Sequence, residues 1–228
     1  QILTYVLLIF ASLSWAGSFI AVRLIHQEIP PFMLGFLRFV VATPVMFLLL
    51  IVLKKPLFLS KKHLPKLIVL ALSGVTLLYM FQFTGVSLTS ASTGGVLINT
   101  NVLFISLFSA LFLHERFTKL KAAGIIISFI GVIFVFFGQM SNESISYSES
   151  FLIGSFLIIF SAICWAVYSI VGKHMLEKED PLVINANVFL IGTLLFVPFI
   201  FSDASTILTN MSVSGILAVL YLGLFCSV

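Results

Sequence analysis

Long apolar runs broken by short polar linkers set the pattern of this chain. Seven runs cover about residues 2–22, 32–53, 67–88, 93–113, 121–138, 152–172 and 182–201, and an eighth begins near 213 and is still apolar at Val228. A helix rising 1.5 Å per residue needs roughly 20 apolar residues to cross the hydrocarbon of a bilayer. Each run therefore predicts a membrane-spanning helix. A transmembrane β-barrel is excluded, because its strands alternate every second residue over about ten residues. The first run is longer than a signal-peptide core, and further spans follow it directly.

The polar linkers predict orientation. Lys54, Lys55, Lys61, Lys62 and Lys66 lie between spans two and three, and Arg116, Lys119 and Lys121 between spans four and five. Lys173 and Lys178 follow span six, and the intervening linkers carry acids but no Lys, with Arg23 at the junction of the first. The positive-inside rule puts the basic linkers and the N-terminus in the cytoplasm. Composition agrees: 61% of the 228 residues are hydrophobic and 9% charged, with a mean hydropathy of +1.23. A soluble domain carries about a quarter charged residues. Soluble globules, disordered chains, coiled coils and nucleic-acid binders are thereby excluded. The pI of about 9.2 reflects the topogenic clusters. Cys164 and Cys226 sit in apolar runs and suggest no disulfide framework.

Residues 7–31 recur at 157–181. Leu7, Ile9, Phe10, Trp15, Ala16, Ile20 and Pro31 return as Leu157, Ile159, Phe160, Trp165, Ala166, Ile170 and Pro181, and Arg23 is matched by Lys173. A repeat of five spans is odd, so its second copy enters the membrane from the opposite face, which predicts an inverted repeat. The expected architecture is an all-α integral membrane protein of ten spans in two inverted five-helix repeats. Residues 1–138 form the first repeat, 139–151 an external linker and 152–228 the second repeat. By this logic the second copy runs to roughly residue 288, so the chain reads as seven complete spans plus part of an eighth, a fragment of the whole.

The order and spacing of several motifs resemble the EamA branch of the drug/metabolite transporter superfamily. They are LSWAGSFIAVR (13–23), the Arg within GFLRFVVA (35–42), ASTGGVLINTNVLFISLFSALFLHERFT (91–118), GIIISFIGVIFVF (124–136) and ICWAVYSIVGK (163–173). The resemblance covers the whole chain. It implies a ten-span exporter or exchanger of metabolites, with two five-helix halves facing one another. The pattern departs at Asn101, where that family usually carries a Pro in span four.

Candidate chemistry follows from depth. Arg38 is the one charge well inside a predicted span, about 9 Å below its outer boundary. Placing a charge there costs at least about 2.5–3.5 kcal/mol. Tyr79 and Gln82 on span three, and Asn99 and Asn101 on span four, fall at similar depth and predict one polar layer, a substrate site with Arg38 as anion anchor. The bland alternative is a buried Arg locking the bundle. A weaker layer of Tyr168, Asn185 and Asn187 is expected near the cytoplasmic face, with Val188 at the position equivalent to Arg38. Trp15 and Trp165, two-thirds along their spans, are read as cavity walls or as packing. Glu115 and Arg116 read as a cytoplasmic ion pair, and His63 and His114 as solvated. Gly94, Gly95, Gly124 and Gly131 are expected to permit close helix approach. The sequence shows no metal-ligand cluster, phosphate loop or nucleophile–base pairing, so no cofactor, metal or enzymatic activity is expected. The resulting expectation is a secondary active transporter of small polar metabolites such as amino acids, working by alternating access in the cytoplasmic membrane. An intramembrane lipid-modifying enzyme needs clustered carboxylates or histidines at membrane depth, and a receptor-like sensor needs long loops or a signalling domain. Arg38 favours a substrate bearing a carboxylate. Oligomeric state leaves no mark in the sequence.

Overall fold

A computed structural model describes residues 2–113, 119–140, 149–200 and 211–227, and every regular element among them is helical. The helices are α1 (Ile2–Ile25), α2 (Pro31–Val52), α3 (Leu64–Ala71), α4 (Leu77–Leu88), α5 (Ala91–Leu97), α6 (Asn101–Phe112), α7 (Lys119–Met140), α8 (Glu149–Leu176), α9 (Pro181–Phe196) and α10 (Val213–Leu224). Six stretches of the described residues are long and apolar enough to cross a membrane: Leu3–Ile25, Pro31–Val52, Lys61–Leu88, Ala91–Phe112, Glu149–Leu176 and Pro181–Phe199. Ala122–Gly131, within α7, and α10 are shorter apolar helices at the expected fifth and eighth positions. Glu115, Arg116, His114 and most of the linker 141–150 lie outside the described residues.

Helix starts follow local chemistry. Pro31 and Pro181 open α2 and α9, where a missing N–H costs nothing. The side chains of Ser90, Asp180 and Ser212 accept from Thr93, Leu182 and Gly215 N–H groups and cap α5, α9 and α10. The end of α2 is a Schellman turn: the N–H groups of Lys54 and Lys55 reach the carbonyls of Ile51 and Leu50. Lys54 takes the left-handed position there, with φ 53°.

Two spans are broken. Span three passes through a 3-10 turn (Lys61–His63), α3, a π turn (Leu72–Thr76) and α4. Hydroxyls draw the backbone off α geometry at the π turn: Ser73 donates to the Val69 carbonyl, and Thr76 donates to those of Ala71 and Gly192. Span four is interrupted by a 3-10 turn at Ile98–Thr100, immediately before Asn101. Side chains stand in for the absent Pro, since Asn99 donates to the Gly95 carbonyl and Thr100 to that of Leu97.

The core is built where α2 packs on α9 and α10, and α4 on α8. At the α4–α8 crossing a Cβ on Gly85 would strike Ile158 and the Gly154 backbone, and one on Gly154 would strike Leu88 and Thr89, so both glycines set the approach. Of the glycines singled out from sequence, only Gly94 faces a close neighbour. A Cβ on Gly95, Gly124 or Gly131 would meet nothing within 4 Å. Outward-facing apolar side chains such as Leu24 and Phe156 fit a lipid surroundings.

Candidate functional site

Arg38, on α2, is 1% exposed. Its guanidinium carbon lies 4.2 Å from the Tyr79 ring centroid and 5.6 Å from that of Phe39. Nε donates to Ser227 Oγ at 2.6 Å and Nη2 donates to the Cys226 carbonyl, both just past the end of α10. Nη1 is buried and has no hydrogen-bond partner among the described residues. It belongs to a residue lining a cavity of about 180 Å³, with Trp15, Tyr79, Trp165, Tyr168 and Asn185 among the other walls. Among the described residues no carboxylate lines this cavity.

The opposite wall is aromatic. Trp15 and Trp165 ring centroids are 5.5 Å apart, and Tyr168 stacks on Trp165 at 5.3 Å with 28° between planes. The Tyr168 hydroxyl donates to Asn185 Oδ1 at 3.0 Å. Gly74, in the π turn, leaves room for that ring, because a Cβ there would run into it. Phe39 fills the floor between Tyr79 and Phe189, at 5.2 and 5.0 Å.

A second cavity of about 490 Å³ is lined by Ser12, Trp15, Gln82, Ser92, Asn99 and Asn101, among others. The single polar layer expected from depth is thus two cavities: Arg38 and Tyr79 meet in one, while Gln82, Asn99 and Asn101 line the other. Depth arithmetic fixes height along a helix but not direction around it, so residues at one depth need not share a cavity. Trp15 lines both cavities and is 40% exposed. The second-copy layer also divides. Tyr168 and Asn185 join the Arg38 cavity. Asn187 stands apart, donating to the Leu57 and Val183 carbonyls at 3.0 and 2.8 Å and so tying the linker after α2 to α9. Val188, equivalent to Arg38 by the repeat, lines the Arg38 cavity. Sequence reasoning missed Phe39, Phe189, Gly74, Cys226 and Ser227. The two Phe were visible as a pair 150 residues apart, whereas nothing in an apolar run marks Cys226 and Ser227 as partners of Arg38.

Contacts at that same spacing recur. Trp15 meets Trp165, Phe39 meets Phe189, and the hydroxyls of Thr43 and Thr193 lie 3.3 Å apart. Two close contacts among the described residues lie on the face bearing the basic linkers: the ion pair of Lys55 with Asp180 at 2.5 Å, and His63 Nε2 at 3.1 Å from a Glu179 carboxylate oxygen. His63 is therefore half-buried beside Glu179, not solvated as expected. The hydrogen bond from Lys55 holds the Asp180 carboxyl below the usual carboxylate range, with the Leu182 N–H adding to it. On the opposite face Glu28 accepts from Ser212 N and Oγ, at 2.5 and 2.7 Å. Among the described residues no group of three His, Cys, Asp or Glu is arranged to hold a metal.

Comparison with known proteins adds to this geometry. The sequence pattern of the EamA-like transporter family matches residues 2–137 and 152–228. An uncharacterized transporter of Archaeoglobus fulgidus is 35% identical over 229 residues, covering 99% of this chain and 76% of that protein. The uncharacterized transporter YetK of Bacillus subtilis is 31% identical, covering 96% of this chain and 66% of its own length. A crystal structure 20% identical superposes with a TM-score of 0.61, over 95% of this chain and 75% of that one, a likeness of fold.

Proposed function

Because the chain belongs to the EamA-like transporter family, we propose that it is a secondary active transporter of small polar metabolites such as amino acids, working by alternating access. The observation that carries the reading is the Arg38 cavity: a buried guanidinium with an unpartnered nitrogen, walled by aromatic rings inside a multi-helix membrane protein. A charge at that depth is retained for a function or paired, and here its pairing is incomplete. Substrate contacts are assigned to Arg38, Tyr79, Trp15, Trp165 and Tyr168, with Gln82, Asn99 and Asn101 lining the approach. Asn187 keeps a packing role. Export or exchange follows from the family resemblance.

The ten-span inverted repeat is part of the same proposal. A two-fold axis brings each residue near it against its own equivalent. The Trp15–Trp165, Phe39–Phe189 and Thr43–Thr193 contacts, each at a spacing of 150, support such an axis running through the cavity. Lys and Arg bias supports a cytoplasmic N-terminus in the cell membrane, with the Lys55–Asp180 face inside.

Counterflow in proteoliposomes tests the function. Vesicles loaded with a mixed pool of amino and organic acids should take up a labelled member faster than empty vesicles. Equal uptake across all substrates tried, with protein verified as folded, would remove the transporter reading.

A further inference from the structure

Resting on the transporter reading, we propose that the Arg38 cavity selects a flat monocarboxylate about one ring in size and rejects cations of the same shape. Charge comes first. Arg38 is 1% exposed, and among the described residues no acid lines the cavity. Two of its three nitrogens are spent on Ser227 and the Cys226 carbonyl, neither of which carries a charge. The positive charge is softened only by the Tyr79 and Phe39 faces. An unpaired buried cation is costly, so the stable occupant is an anion. The free nitrogen carries two N–H donors, which suits a single carboxylate.

Shape comes from the walls. The cavity, at about 180 Å³, is of the order of the roughly 150 Å³ apolar cavity that accepts benzene. Trp165 and Tyr168 stack on each other, with 28° between planes, and line the cavity together. That wall is held in place: Asn185 fixes the Tyr168 hydroxyl, and Gly74 lets the ring lie directly on the π turn. Planar groups pack against planar walls with little loss of freedom. Asn185 and Gly74 are thus positioning residues for the aromatic wall.

Four probes of one size separate charge from shape: benzoate, benzamide, benzamidine and cyclohexanecarboxylate. Trp165 lines this cavity and not the larger one, so its emission, read in a Trp15→Phe background, reports occupancy of the Arg38 cavity. Benzoate should shift the emission saturably. Benzamide should bind at least about tenfold more weakly, since it leaves the guanidinium uncompensated, and benzamidine should not bind. Cyclohexanecarboxylate, with the same charge and a puckered body, should bind several-fold more weakly than benzoate. Arg38→Lys should weaken benzoate about tenfold by removing the planar fork, and Asn185→Ala should narrow the gap between benzoate and cyclohexanecarboxylate without abolishing binding. Absence of benzoate binding, or equal binding of benzamide or benzamidine, overturns the charge assignment. Equal binding of the two carboxylates overturns the shape assignment. The probe panel on the protein with Arg38 intact decides both even if an Arg38 variant fails to fold. Counterflow separates this inference from its premise: transport that benzoate does not inhibit leaves the transporter standing and sinks the monocarboxylate site, whereas benzoate binding without any transport does the reverse.

Discussion

At the scale of single residues, two backbone positions govern how the site and its edge are built. Gly74 has no side chain because Tyr168 occupies the space one would need. Gly74→Ala is expected to destabilise the protein by about 1–3 kcal/mol, the cost of overpacking a filled core. Pairing it with Tyr168→Leu should recover much of that loss, so a double-mutant cycle read by thermal unfolding should give a coupling well above the additive sum. Additive behaviour would show that Tyr168 has room to move aside. Lys54 is the opposite case, a side chain where glycine fits better. It carries φ 53° at the Schellman turn that ends α2. Lys54→Gly should raise stability by roughly 0.5–1 kcal/mol, with the neighbouring Lys55–Asp180 pair unchanged. A melting temperature that falls instead would mean that the Lys54 side chain has a role of its own.

Between elements, the linker following α2 is fastened to the start of α9. Lys55 meets Asp180, which also caps α9, and Asn187 holds the Leu57 carbonyl. His63 Nε2 also lies 3.1 Å from Glu179. Asp180 titrates below its ordinary range in the folded protein. Its contribution is therefore complete above the unfolded carboxylate value and is lost as the pH falls through the lower native one, beginning below about pH 4. Asp180→Asn should lower stability at neutral pH and leave it nearly unchanged at the acid end, where the wild-type carboxylate is itself protonated. Denaturation followed across that pH series checks the sign, and a variant equally destabilised at both ends would show that the charge of Asp180 is not what stabilises this junction. Broken spans three and four belong to this scale as well. Each break lies beside a cavity, and each is made by Ser, Thr or Asn side chains bonding to nearby carbonyls.

For the whole molecule, the proposed pseudo-two-fold makes a crosslinking forecast. Residues on such an axis stay together while the halves rock about it. Thr43→Cys with Thr193→Cys, in a background with Cys164 and Cys226 replaced by Ser, should form a disulfide on mild oxidation and keep substantial transport. A crosslink that stops transport completely would mean the halves separate there, and the axis would have to be placed elsewhere. Orientation is tested with an impermeant thiol reagent on intact cells. A cysteine introduced in the linker 54–66 should be protected and one in 141–150 labelled, and the reverse pattern would invert the topology.

How much of this was legible in the chain follows from what each signal depends on. Membrane helices rest on local hydrophobicity, because a bilayer forces every backbone group to pair within its own helix. The apolar runs therefore located the six long spans to within a few residues at most ends, though the third begins earlier, at Lys61, and carries basic residues into its first turns. Family membership was likewise carried by ordered local motifs, and it agrees with the match over 2–137 and 152–228. Arg38 stood out because one charge in an apolar run is visible without a partner. Its partners were not visible. Ser227 and Cys226 lie 189 and 188 residues away, and nothing local links them to α2. The breaks at Leu72–Thr76 and Ile98–Thr100 were also hidden, since neither contains the Pro that marks a kink in sequence. Which way a side chain faces around its helix was the largest loss. Gln82, Asn99 and Asn101 share a depth with Arg38, yet they line another cavity. In a helix surrounded by lipid and other apolar helices, the polar stripe that reveals orientation in water is nearly absent, so rotation is settled by packing between helices. Membrane helices, family and buried charge are local signals and stand in the sequence; that Trp15 of α1 and, from far along the chain, Trp165 and Tyr168 of α8 line one cavity with Arg38 is a matter of helix packing.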